Sequence, residues 1–249
     1  MTLEAWEVDG PVDGPPIVFL HGAILSRTMW RPLIALLRDR YRCISLDLPD
    51  HGTQVDGTFS LETAVARVRA LIDREAGGRA VLVGLSLGGY VAMATAAASP
   101  DRVRGLVVAG ATLEPRGIWA LAFAAFGLAL RIYPTRLIHA VDERLMRRLY
   151  GGAVVDQVLA GGYFARGGGR AVMHLAGARF QARLAEYGGP ILVINGDRDF
   201  VFSRTEHQFI AGLGQLTTLR LRGASHLSTL DRPAEVAAAL RAFEGSIGP

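Results

Sequence analysis

Short runs of β-branched and aliphatic residues alternate with helix-patterned stretches over most of this chain, and that alternation narrows the fold more than any other feature. IVFLHG is followed by WRPLIALLRD, CISLDL by LETAVARVRALIDREA, and AVLVGLS by YVAMATAAA, with GLVVAGA next. Apolar runs of this length, separated by helices, read as buried strands of βαβ units, with right-handed crossovers and helices on both faces of a parallel sheet. The rhythm stops after Ala111 and resumes with PILVING at 190–196, then TTLRLRG and a closing helix, PAEVAAALRAFE. Between them lie helical pieces broken by glycines, GG at 151 and 161 and GGG at 167, with no convincing buried strand. The expectation is an α/β fold built on a mostly parallel sheet flanked by helices. Its core takes residues 1–112 and 190–249, and a helical cap insertion takes 113–189.

Half of the 249 residues are hydrophobic, enough to bury a large core. All 27 residues counted as Lys or Arg are arginine. The absence of lysine excludes a lysine Schiff base and a GxxxxGK[ST] phosphate loop. The arginines are scattered among acids, as in DREAGGR and DRVRG, so the net charge of +4 reads as a solvated surface and no nucleic-acid partner is expected. A single cysteine, Cys43, forms no internal disulfide and reads as a buried thiol. MTLEAWEVDG lacks the charged and apolar regions of a secretory signal. The most apolar stretch, IWALAFAAFGLALRIY, has sixteen residues, short of the roughly 20 that a bilayer crossing needs. The expectation is a cytoplasmic protein with no stable membrane span; homodimerisation stays open.

The chemistry concentrates around VLVGLSLGGY at 81–90. GLSLG fits G-x-S-x-G, with Ser86 at a tight turn between a predicted strand and a predicted helix. Serine at its own pKa is a weak nucleophile and needs a base, with a third group to orient that base. Two loops after downstream strands supply them: GASHLSTLDRP offers His226, and NGDRDF offers Asp197 or Asp199. His21, His51, His139, His174 and His207 stand in contexts better explained by structural roles. Donors for a developing oxyanion are available from the amide of Leu87, which opens a helix, and from Ala23 in the glycine-containing loop FLHGAILS.

Taken together, HGAILSRTMW, DLPDHG, GLSLGG, GDRD and GASH resemble the α/β-hydrolase family, in its order and spacing and over nearly the whole chain. The resemblance implies Ser86 as nucleophile, His226 as base, Asp199 as the acid (three positions after Gly196), and the backbones of Ala23 and Leu87 as oxyanion hole, with no cofactor and no metal. It implies about seven strands, because the N-terminal LEAWEV looks like the family's second strand and its first is missing. DLPDHG departs from the family in carrying Asp50 where glycine is usual, so that turn is either strained or built differently. A serine elbow without the glycine-proline-glycine loop of carbon–carbon hydrolases leaves a serine esterase, a carboxylesterase acting on a small to medium apolar ester through an acyl-enzyme. Alternatives are a thioesterase, lactonase or carbon–carbon bond hydrolase with the same triad, or a non-catalytic small-ligand receptor.

In the cap, Trp119, Phe123, Phe126, Leu130 and Tyr133 recur at helical spacing. Trp119, Phe123, Phe126 and Tyr133, together with Ile24 and Trp30 of HGAILSRTMW and Leu227 beside His226, are the candidate substrate-lining residues. The same stripe is equally readable as packing of the cap on the sheet, or as a surface that meets a lipid interface or a partner subunit.

Overall fold

The computed structural model describes residues 5–55, 58–214 and 216–248. Seven strands run in chain order as β1 Trp6–Asp9, β2 Pro16–Leu20, β3 Arg42–Leu46, β4 Ala80–Leu85, β5 Val103–Ala109, β6 Ile191–Gly196 and β7 Leu216–Leu221. They form one sheet of order β1-β3-β2-β4-β5-β6-β7, parallel throughout except for β1, which pairs antiparallel with β3 through Trp6 and Leu46. Leu3 and Glu4 of the expected first strand lie outside the described residues. Strands β4 and β6 are buried along their whole length, which is why AVLVGL and ILVING lack the alternation of a half-exposed strand. At the edge, β7 returns to partial exposure, with threonine and arginine among its leucines.

The helices follow as α1 Arg31–Ile34, α2 Leu61–Glu75, α3 Leu87–Ala98, α4 Ile118–Ile132, α5 Thr135–Tyr150, α6 Gly152–Leu159, α7 Ala165–Leu175, α8 Phe180–Tyr187, α9 Phe202–Ile210, α10 Ser228–Asp231 and α11 Pro233–Ser246. Val18, Leu20, Ile44 and Leu82 face α2, α3 and α8 on one side of the sheet. Their neighbours Ile17, Phe19, Val81 and Val83 face α1 and α11 on the other, as a strand period of two requires. Cys43 is buried in that second layer, and burial pushes its thiol up to about 12.

Among the described residues, segment 113–189 consists of the five helices α4 to α8 and the loops between them, with no strand. Phe180, Leu184 and Tyr187 of α8 belong to the core layer over α3, and the Tyr187 hydroxyl donates to the Val103 carbonyl at 3.0 Å. Helices α6 and α7 also enter the core layers, through Val155 and Val158 on one side and Ala171 and Leu175 on the other, whereas α4 buries only Gly127 and Leu130. GGG at 167–169 is not a helix break, since it lies inside α7 and is buried. Three backbones approach it: a Cβ on Gly167 would stand 2.2 Å from the Asp50 carbonyl oxygen, one on Gly168 1.8 Å from that of Ala23, and one on Gly169 2.5 Å from that of Gly127 in α4. Tertiary approach overrides the poor helix propensity of glycine there.

Of the two outcomes expected for DLPDHG, the turn is strained. Asp50 holds φ of 70°, which costs a non-glycine residue about 1–2 kcal/mol. Its carboxylate is gripped by both arms of Arg170 on α7, one at 2.6 Å, so the departure from glycine ties this loop to the helices above.

Gly168→Ala is expected to destabilise by at least about 1–3 kcal/mol, because its Cβ meets backbone rather than a yielding side chain. Gly245, helical in α11 with open space around its would-be Cβ, should tolerate alanine with a gain of up to about 1 kcal/mol. Urea unfolding of both variants checks the contrast.

Candidate active site

From β2 the chain moves outward to β3, then crosses back to β4 on the other side of β2. Strand order therefore reverses between β2 and β4, and the loops leaving their carboxyl ends diverge and open a crevice, the place where open α/β sheets hold ligands. Gly22 and Ala23 follow β2 on one side; Ser86 follows β4 on the other.

Ser86 adopts φ 53° and ψ −117°, a strained turn worth about 1–3 kcal/mol. The flanking glycines make the crossing possible. A Cβ on Gly84 would stand 2.2 Å from the Gly88 carbonyl oxygen, and one on Gly88 2.0 Å from that of Leu20. The Ser86 side chain makes no cap bond to α3, so its hydroxyl stays available. Ser86 and His226 border the same two cavities with no hydrogen bond between them among the described residues; serine–base bonds commonly tighten only when substrate is present.

The two aspartates after β6 separate cleanly. Asp197 accepts from the Gly223 amide at 2.7 Å and closes a turn against the next loop. Asp199 is buried, 7 % exposed, and its Oδ2 lies 2.7 Å from His226 Nδ1. That contact turns the other ring nitrogen, Nε2, away from the carboxylate. Phe202 stacks on the imidazole at 5.0 Å with planes 24° apart. Beneath the ring is Gly110, where an added Cβ would meet His226 Cε1 at 3.0 Å. The histidine loop is braced in turn by Asp231, which accepts from the Ser225 amide at 2.6 Å, the Ser225 hydroxyl at 2.7 Å and the Tyr150 hydroxyl at 2.8 Å.

Neither the Ala23 nor the Leu87 amide donates to another group among the described residues, and Leu87 opens α3, where first-turn N–H groups are unpaired. The Ala23 loop is held from several sides. His51 Nε2 lies 2.6 Å from the Ala23 carbonyl oxygen, His51 Nδ1 2.9 Å from that of Pro49, and the Phe164 amide donates to Ile24 at 2.9 Å. Burial lowers the pKa of His51, and a neutral ring donates to one of its two carbonyls at a time. His21 is held well below its usual pKa by burial, with the charge of His51 next in effect. It accepts from the Leu48 amide at 3.0 Å, so it donates through Nδ1 to the Gly22 carbonyl at 2.9 Å. Both rings are buried and bond to backbone groups of the loops around them. The other three histidines, His139, His174 and His207, lie on α5, α7 and α9.

Two apolar cavities, of about 380 and 410 Å³, share Ala23, Ser86, Phe126 and His226 as common wall. Ile24 and Leu227 border the first, and Trp119 and Phe123 the second. Two candidates fall elsewhere. Trp30 is fully buried in the core against Phe19, ring centroids 5.3 Å apart, because the 3-10 turn that it ends faces the sheet. Tyr133 follows the last residue of α4 and is 59 % exposed, turned out of the site as Pro134 redirects the chain. Leu145, Met146 and Leu149 of α5 line the first cavity, and Tyr90 and Phe202 the second. None of these was singled out in the sequence; the i, i+4 spacing of Leu145 and Leu149 is the signal that could have found two of them.

The chain belongs to the alpha/beta hydrolase family, whose profile it matches over residues 17–239, and it is a hydrolase of that fold. It is 30% identical to a pimeloyl-[acyl-carrier protein] methyl ester esterase of Stenotrophomonas maltophilia, with 95% of each chain covered. It is 27% identical to 3-oxoadipate enol-lactonase 1 of Acinetobacter baylyi, covering 97% of this chain and 92% of that one. Among solved structures, a thermophilic esterase from Thermogutta terrifontis superposes with a TM-score of 0.82 at 24% identity, covering 98% and 94% of the two chains. At that identity the likeness speaks for the fold alone.

Asp231→Ala removes the acceptor of three hydrogen bonds and should cost about 1–3 kcal/mol. A Tm lower by several degrees, measured by calorimetry, is the expected result.

Proposed function

We propose that the protein is a serine carboxylesterase that cleaves uncharged esters with an apolar acyl group of small to medium size. The observation that carries this reading is that His226, paired with Asp199, stands with Ser86 on the wall shared by two apolar cavities. Ser86 Oγ attacks the ester carbonyl while His226 Nε2 accepts its proton, and the Ala23 and Leu87 amides receive the oxyanion. The tetrahedral adduct collapses as His226 returns the proton to the leaving alkoxide, which departs as the alcohol. Water then attacks the acyl-Ser86 by the same relay and releases the acid. Asp199 fixes the ring tautomer and stabilises the imidazolium formed at each step.

The relatives support ester or lactone hydrolysis, since their names give a methyl ester esterase and an enol-lactonase. The linings favour an uncharged ester over an acid-bearing lactone: among the described residues no arginine borders either cavity, although the chain is rich in arginine. A carboxylate on the substrate would be buried there without a counter-charge. Catalysis of this kind needs no cofactor or metal, and the substrate is a small molecule. Helices α4 to α7 serve as the cap.

Along a series of p-nitrophenyl esters, kcat/KM is expected to rise from acetate through chains of about four to eight carbons, by up to about fourfold per methylene buried. An optimum at acetate would mean that neither cavity receives the acyl chain. Asp199→Asn is expected to lower kcat by about 10⁴, the loss seen for the equivalent change in the serine-protease template. Asp197→Asn should cost little beyond stability. The opposite ranking, with both variants folded by circular dichroism, would transfer the orienting role to Asp197.

A further inference from the structure

Helix α4 is apolar on every side. From Ile118 to Leu130 it carries no polar side chain. Such a helix belongs in a core or in lipid, yet only one side of α4 is covered, with Gly127 and Leu130 buried on it. On the opposite side Ile118, Leu121, Leu128 and Ile132 are 46–73 % exposed. Helix α5 adds a second stripe at i, i+4 spacing, Leu137, Val141, Leu145 and Leu149, each more than half exposed. Eleven of the seventeen exposed large hydrophobic side chains among the described residues fall between Ile118 and Leu149. Monomeric surfaces rarely carry so concentrated a patch without a partner.

Charge decides what covers it. Segment 113–189 holds ten arginines against five acidic residues, while the rest of the chain is close to balanced. On α5, Arg144 and Arg148 are exposed and fall at helical spacing beside the leucine stripe; Arg136 and Arg131 are exposed at the junction of the two helices. Arginine stems can lie along an apolar face while their guanidinium groups reach outward. A second copy joined about a twofold axis would press this arginine-rich face against itself, which is repulsive. A bilayer carrying anionic headgroups supplies a countercharge for each arginine and an apolar medium for the leucines. Among the described residues no single helix is long and apolar enough to cross a membrane; α4 and α5 reach that length only together, as a pair bent by 105°, and the arginines along α5 suit the headgroup layer better than the hydrocarbon core. Leu145 and Leu149 of the α5 stripe border the first cavity together with Phe126, which lies on the flank of α4 between its covered and outward sides, so that cavity opens beside the exposed residues.

We propose that the outward face of α4 and α5 docks on the surface of an anionic lipid bilayer, with the mouth of the first cavity against the membrane. This docking is separate from the esterase reading, because it is read without turnover. The test is flotation of the full-length protein with vesicles of phosphatidylcholine alone or mixed with phosphatidylglycerol, at low and high salt. Wild type should bind the mixed vesicles at least about tenfold better than the neutral ones, and high salt should weaken that binding. Leu121→Glu with Leu137→Glu, neither of which borders a cavity, should lower vesicle binding at least about tenfold while hydrolysis of a short water-soluble ester stays within about twofold of wild type. Arg144→Gln with Arg148→Gln, both on the surface, should weaken binding to the mixed vesicles by roughly tenfold; this pair decides the matter if the glutamate variant fails to fold. Wild type that ignores vesicles of both compositions would overturn the proposal, as would binding that neither pair alters. So would a dimer, seen by sedimentation, that the glutamate variant dissociates while no vesicle binding occurs.

Discussion

The crossing of β4 and α3 at Ser86 is the constraint on which the rest of the site depends. The strand must turn directly into a helix that packs back on the sheet, and the Gly84 and Gly88 backbones come so close to their neighbours that neither position has room for a Cβ. Under that constraint Ser86 is held at positive φ at the carboxyl end of β4 and borders both cavities, with Leu87 opening the helix that follows. The unfavourable backbone conformation persists because the packing on both sides over-determines it. The crossing also falls beside the reversal of strand order, so the loop after β2 diverges from it and leaves space for a substrate.

The other functional groups reach this point as braced loops. His226 is fixed on one edge by Asp199, on one face by Phe202 and beneath by Gly110, and its loop is anchored through Asp231. The Ala23 loop is held by His51 from the core and by Phe164 and the glycines of α7 from above. The helices over the site are thus coupled to the amide proposed to receive the oxyanion, and the Asp50–Arg170 pair adds a second tie. A change in those helices therefore acts on the site through backbone contact as well as through the shape of the cavities.

What was legible in the sequence follows the range of the interactions. Strand and helix order, the elbow at Ser86 and the position of His226 rest on local patterns, because periodicity and turn chemistry are written within a few residues of each other. The separation of Asp199 from Asp197 needed the family's spacing, and the geometry places Asp199 against the imidazole. Trp30 and Tyr133 could not be placed from the sequence, since an aromatic at the end of a turn or helix faces whichever way the next element bends the chain. GGG in α7 reads locally as a break, and only the approach of three other backbones explains it. For the same reason the packing of α8 over α3 was hidden: an amphipathic helix does not announce which layer it joins.

Reaction of the protein with an alkyl fluorophosphonate, followed by intact mass and peptide mapping, tests the central claim most directly. A phosphonyl group forms on a serine only where a base activates the hydroxyl and donors stabilise the developing charge. The account predicts one adduct per chain, located on Ser86, and none on the Ser86→Ala variant. An unlabelled wild-type chain, or an adduct mapped to any other residue, would contradict it.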